Sequence, residues 1–161
     1  MNFKFMMTDK DFLTRAVKLA EEGIEKGGGP FGAVIVRNKE IISEAINMVV
    51  CSNDPTAHAE ILAIRQASKV LGTHSLHDCI LYTSCEPCPM CLGAIYWSGI
   101  KTVFYAADRK DAADAGFSDK YIYDEISIPV EKRHIVFHQL EEVNGMETFR
   151  IWNSFENKIP Y

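Results

Sequence analysis

His58-Ala59-Glu60 opens one apolar run of this sequence and Pro87-Cys88-Pro89-Met90-Cys91 opens another, and the rest of the chain is read around them. His58, Cys88 and Cys91 carry nitrogen and sulfur donors of the kind zinc prefers. Three protein ligands leave the fourth corner of a tetrahedral ion to water. Glu60 is not needed to complete that set, which frees a carboxylate to move protons beside the water. Cys88 and Cys91 stand three apart, so on a helix their sulfurs share a face, one turn from each other. Both motifs sit at expected helix starts, where the partial positive charge of the terminus favours thiolate over thiol. A non-enzymatic zinc module would need a fourth protein ligand, and Cys85 is the nearby donor. It precedes the Pro-Cys helix start, so it reads as a loop residue near the metal and not as a ligand.

The chain has 161 residues, a length that suits one domain. A domain of that size buries roughly 70% of its unfolded surface and folds without disulfide staples. Met1 to Met7 is too short for a secretory segment and is interrupted by Asn2 and Lys4. No apolar run approaches the ~20 residues of a membrane span. Of the five cysteines, Cys85, Cys88 and Cys91 follow C-x-x-C-x-x-C spacing, which favours a metal site in a reducing, cytoplasmic compartment over a disulfide framework. Cys51 and Cys79 read as small buried hydrophobes. The net charge is −5, and Lys/Arg clusters go no further than pairs such as Arg109-Lys110 and Lys132-Arg133. A protein that grips a nucleic-acid backbone usually shows a basic surface, so a free base or nucleoside is the expected partner.

Thr8 to Lys26 has helical spacing of Phe12, Leu13, Ala16, Ala20 and Ile24, with Thr8 and Asp11 as a capping box, and Gly27-Gly28-Gly29-Pro30 stops it. That glycine run ends a helix instead of opening one, which argues against a phosphate loop. Phe31 to Val36 and Ile41 to Val49 read as strands joined by an Asn38-Lys39 hairpin. A turn at Asn53-Asp54-Pro55 leads into a helix from His58 to Leu71. Strand Cys79 to Thr83, helix Pro87 to Trp97 and strand Thr102 to Tyr105 follow, then a polar loop from Ala107 to Asp119 with at most one short turn of helix. Lys120 to Ile126 reads as helix, Ile135 to Leu140 as strand and Met146 to Asn157 as a last helix. Strands alternating with helices after an opening hairpin predict one mixed sheet covered on both faces.

H-x-E followed by P-C-x-x-C is the signature of the zinc-dependent nucleobase deaminases. Thr56 to Ile61 and Ser84 to Cys91 carry it here, so the chain resembles the cytidine deaminase-like family. The likeness narrows at Gly29-Pro30-Phe31-Gly32-Ala33-Val34-Ile35-Val36, Ser52-Asn53-Asp54-Pro55-Thr56, Gly93-Ala94-Ile95-Tyr96-Trp97 and Ala113-Asp114-Ala115-Gly116-Phe117. With these segments it resembles the bacterial guanine deaminases of that fold, from about Thr8 to Tyr161. The resemblance implies an α/β, three-layer α/β/α sandwich with a mixed five-stranded sheet, forming a single domain over residues 1–161. It implies one Zn²⁺ per chain and hydrolytic deamination of guanine at C2 to xanthine, with Glu60 moving the proton. It also implies a homodimer in which a C-terminal segment, about 144–161, is swapped between protomers.

The same resemblance assigns Asp119 to the leaving amine, Asn47 to a hydrogen bond with the purine, Phe31 and Trp97 to its faces, and Ala59 to a backbone amide contact. Tyr161 would lie beside the partner's substrate. The residues themselves leave plainer roles open. Asp119 suits the cap of a helix beginning at Lys120. Asn47 could close a turn, Phe31 and Trp97 could be core, and the tail could pack on its own sheet. A guanosine or other nucleoside or base deaminase, and a tRNA adenosine deaminase, share the zinc motifs. The last needs a basic groove to hold an RNA loop, and the acidic balance argues against it.

Overall fold

The structure is a computed structural model and describes Met7 to Pro160. It opens with helix α1 (Asp9–Glu25), whose start is fixed as the sequence expects. Thr8 and Asp11 form the reciprocal capping box, with the Thr8 amide and hydroxyl each 2.8 Å from Asp11 Oδ2. Strands β1 (Gly32–Arg37) and β2 (Glu40–Ile46) then form the hairpin. Asn38 and Lys39 at its tip both take positive φ, the backbone that matches the twist of a tight hairpin. The chain continues through a short helix α2 (Val49–Ser52), helix α3 (Ala59–Leu71), strand β3 (Ile80–Cys85), helix α4 (Pro89–Ser98) and strand β4 (Thr102–Ala107). Helices α5 (Arg109–Asp114), α6 (Lys120–Ser127) and α7 (Met146–Ser154) complete it, with a single 3₁₀ turn at Val130–Lys132.

The strands form one mixed sheet in the order β2-β1-β3-β4, with β3 and β4 parallel and the other pairs antiparallel. Period-two alternation along β1 splits its side chains between two cores. Val34 and Val36 join Phe12, Ala16, Leu19 and Tyr82 under α1. Ala33 and Ile35 join Ala59, Ala63, Ala67, Leu81 and Ile95 under α3 and α4. Helices therefore cover both faces of the sheet, the layering the sequence pattern predicts. Gly32 is required by that packing: a Cβ there would lie 2.3 Å from the Ala16 carbonyl oxygen.

The chain forms two compact units, Met1–Asp119 and Lys120–Tyr161. In the second, Glu125 accepts from the His134 amide at 2.7 Å and pairs with its ring Nδ1 at 2.9 Å. Arg133 donates to the carbonyls of Ile126 and Ile128.

Several expectations are corrected. Among the described residues the sheet has four strands and not five. Ile135 to Leu140 has the apolar composition of a strand but pairs with none among the described residues, because β structure needs a neighbouring backbone as well as suitable side chains. The second strand stops at Ile46, and Val49 begins a helical turn instead. Cys85 ends β3 and is not a loop residue. Cys51 is exposed, with its thiol donating to the Lys26 carbonyl at 3.4 Å, whereas Cys79 is buried as expected. No helix among the described residues is long and apolar enough to cross a membrane.

Candidate zinc and active site

Two helix starts assemble the site. His58 is the N-cap of α3 and Cys88 the N-cap of α4, both with extended backbone. Neither uses its side chain to cap its own helix, so each is free to turn toward the other. Pro89 begins α4 at a position where no amide donor is needed, which sets Cys91 one turn in and on the same face as Cys88. His58 Nδ1 lies 3.5 Å from Cys88 Sγ and 3.6 Å from Cys91 Sγ. All three donor atoms fall within 4.8 Å of one another. Tetrahedral zinc, with bonds of about 2.0 Å to nitrogen and about 2.3 Å to sulfur, separates nitrogen and sulfur ligands by about 3.5 Å. The residues fit that ion.

The three donors also share protons with one another. The Cys88 thiol is pushed down to about 4, chiefly by the neighbouring Cys91 thiol, with the His58 imidazole adding to the effect. Cys91 is pushed up by sharing its proton with Cys88, by burial and by the carboxylate of Glu60. The His58 imidazole is raised, first by its hydrogen bond to Cys88. Cys85 stands apart: burial pushes it up to about 11, and its thiol donates to the Asp108 carbonyl at 3.6 Å. The donor atoms that cluster are those of His58, Cys88 and Cys91, and Cys85 is not among them.

Glu60 lies in the first turn of α3 and is 5% exposed. Burial pushes its carboxyl up. Its Oε2 accepts from the Cys91 thiol at 3.4 Å and its Oε1 from the Thr83 hydroxyl at 3.3 Å. A carboxylate is thus held against a ligand of the metal without being one. Ala59, the first residue of α3, is fully buried between His58 and Glu60.

Asn47 follows β2 and is 5% exposed. Its Oδ1 accepts from the amides of Gly29 at 3.4 Å and Val49 at 3.2 Å, and its backbone N–H donates to the Phe31 carbonyl at 2.9 Å. The glycine run explains itself here. A Cβ on Gly28 would lie 2.2 Å from the Asn47 carbonyl oxygen, so the loop closes on Asn47 because it lacks side chains. With Oδ1 taken, the side-chain amide nitrogen of Asn47 is the donor left to offer. Phe31 meets Phe117 edge-on, with ring centroids 5.1 Å apart. Asp119 is half-buried, and its carboxyl is raised by burial and by Cys88, against the opposing pull of Arg109. It therefore belongs to the electrostatic surroundings of the zinc ligands. Trp97 lies on α4 and is 70% exposed. Tyr161 lies outside the described residues.

The sequence reading missed Thr83 and the Glu86–Arg109 ion pair of 3.1 Å, which ties the P-C-x-x-C segment to α5. Strand alternation was the available signal for Thr83, since it shares a face with Leu81 and Cys85.

Residues 6–107 match the cytidine and deoxycytidylate deaminase zinc-binding region. The guanine deaminase of Bacillus subtilis (strain 168) is 59% identical over 156 residues, spanning 96% of this chain and all of the relative. The X-ray structure of guanine deaminase from Bacillus subtilis superposes with a TM-score of 0.94, covering 96% of this chain and 99% of that one. The structure of guanine deaminase from Nitrosomonas europaea is 34% identical, with a TM-score of 0.66 over 70% of this chain and 65% of that one. The tRNA-specific adenosine deaminase of Aquifex aeolicus is 49% identical over 100 residues, 62% of this chain and 66% of the relative.

Proposed function

The chain belongs to the cytidine and deoxycytidylate deaminase zinc-binding family, and from that premise we infer that it hydrolyses guanine to xanthine and ammonia. One observation carries the inference: 59% identity to a guanine deaminase runs the whole length of that relative. The acidic balance, net charge −5, supports a small base over an RNA loop.

His58, Cys88 and Cys91 would hold Zn²⁺, which supplies a water acidic enough to lose a proton near neutral pH. Glu60 takes that proton and delivers it to the ring nitrogen beside C2. The water oxygen would bond to C2 as the C2–ring nitrogen π pair moves onto the nitrogen that Glu60 protonates. The C2 hydroxyl so formed would give its remaining proton, through Asp119, to the exocyclic nitrogen, which leaves as ammonia as the C2 carbonyl forms. Asn47 presents its amide to the purine, Phe31 and Trp97 flank the ring, and the Ala59 backbone amide orients it.

The working form is a homodimer in which the segment from about 144 to 161 crosses to the partner and brings Tyr161 to the partner's substrate. The apolar residues of α7 support this: none is buried, and Phe149, Ile151 and Trp152 are all exposed. Exchange of a terminal element is a low-cost route to a dimer. The five unpaired cysteines suit a reducing cytoplasm.

Zinc-loaded protein assayed against guanine, guanosine, cytosine, adenosine and tRNA tests the reading. Release of xanthine and ammonia from guanine, with the highest kcat/KM of the panel, is expected. A higher kcat/KM for any other member overturns it.

A further inference from the structure

We propose that Thr83 is a positioning residue for Glu60, tethering one carboxylate oxygen so that the other faces the reacting atoms; the proposal rests on the function inferred above. Thr83 occupies the centre of the sheet, opposite Ala33 on β1 and Tyr105 on β4. Alternation along β3 turns Tyr82 toward α1 and leaves Leu81, Thr83 and Cys85 on the side of α3. Thr83 is 1% exposed, and a hydroxyl in so dry a place is costly unless it finds a partner. Its partner is Glu60 Oε1.

The two side-chain contacts of Glu60 differ in kind. Oε2 accepts the Cys91 thiol proton, which Cys91 must lose to become a metal ligand. That contact ends when the site is loaded. The Thr83 contact to Oε1 involves no ligand and persists. Oε2 is then the oxygen left to exchange protons, while Oε1 stays anchored to the sheet. A glutamate has several rotatable bonds, and reacting groups must be held closely to a productive geometry. Only a hydroxyl at position 83 supplies the anchor; a valine there would have the same shape and no donor.

The test compares wild type, Thr83→Val and Thr83→Ser, all zinc-loaded. Turnover is measured on whichever base or nucleoside of the panel wild type prefers, so failure on guanine strikes the proposed function alone. Thr83→Val should lower kcat about tenfold, the scale of one hydrogen bond to a charged group, with KM within about twofold and zinc content unchanged. Thr83→Ser should restore kcat, which a purely structural role for the threonine methyl would not allow. If Thr83→Val fails to fold, Thr83→Ala replaces it. A crystal structure of the hydroxyl-free variant gives a readout independent of turnover, and the Glu60 carboxylate should have rotated away from β3. Wild-type kcat in the hydroxyl-free variant overturns the proposal. So does a serine variant as slow as the valine one, or an unmoved Glu60 carboxylate.

Discussion

The units Met1–Asp119 and Lys120–Tyr161 handle apolar side chains in opposite ways. In the first, Phe12, Ile35, Leu76, Leu81 and Tyr82 are almost wholly buried. Each such burial is worth about 1.5–3 kcal/mol, and together they hold the helix starts that carry the zinc ligands. In the second, α6 and α7 bury no residue at all. Ile135, Val136, Phe137 and Leu140 are between 57% and 72% exposed. Helical and strand-like spacing is present in both units. The difference teaches that periodicity marks which face of an element needs cover, not what supplies it. On the proposed reading, the first unit holds the chemistry and a second copy of the chain covers the apolar tail.

The sharpest way to break that division is Glu60→Gln. Gln keeps the size and loses the proton acceptor, so kcat should fall about 10²–10⁴-fold. Zinc, measured by metal analysis, should stay at one per chain. Near-normal turnover with full zinc would move the proton transfer elsewhere.

Asp119 is the last residue of the first unit and tests where the chemistry stops. Asp119→Asn should lower kcat about 10²-fold with little change in melting temperature. A cap on α6 would behave the other way, costing about 1 kcal/mol of stability and leaving kcat intact.

Removal of Asn157 to Tyr161 probes the second unit directly. The truncated protein should keep its zinc and lose about tenfold in kcat/KM, about 1.4 kcal/mol of transition-state binding. Unchanged guanine kinetics would detach the tail from the active site. Sedimentation of the full chain as a monomer would remove the partner that is proposed to cover α7.

The smallest effect belongs to the Arg15–Glu44 pair, which joins α1 to β2 at 2.8 Å. Arg15 holds the Glu44 carboxyl below its ordinary 4.5, so the pair stabilises the fold above that pH. Its contribution is lost as pH falls through the folded value. Glu44→Gln should cost less than about 1 kcal/mol at pH 7 and nothing in strong acid, read by thermal melts at several pH values. A larger loss would mean that surface ion pairs, not the two cores, hold the first unit.

Most of the first unit is legible in the sequence because its signals are local. The Thr8–Asp11 capping box, the Asn38-Lys39 hairpin and the Pro-Cys helix start each depend on residues a few positions apart. The donor set is legible too, since His58, Cys88 and Cys91 declare their chemistry by residue type and by spacing from a helix start. Tertiary structure decided the rest. Only the packing of β3 against α3 brings Thr83 to Glu60, across 23 positions of sequence. Only the folded loop brings the Gly29 and Val49 amides together on Asn47 Oδ1, with Gly28 closing on the Asn47 backbone carbonyl. The stretch from Ile135 to Leu140 states its preference for a strand but not the backbone it would pair with. A preference is a property of neighbouring side chains; a hydrogen-bonded partner is a property of the folded chain.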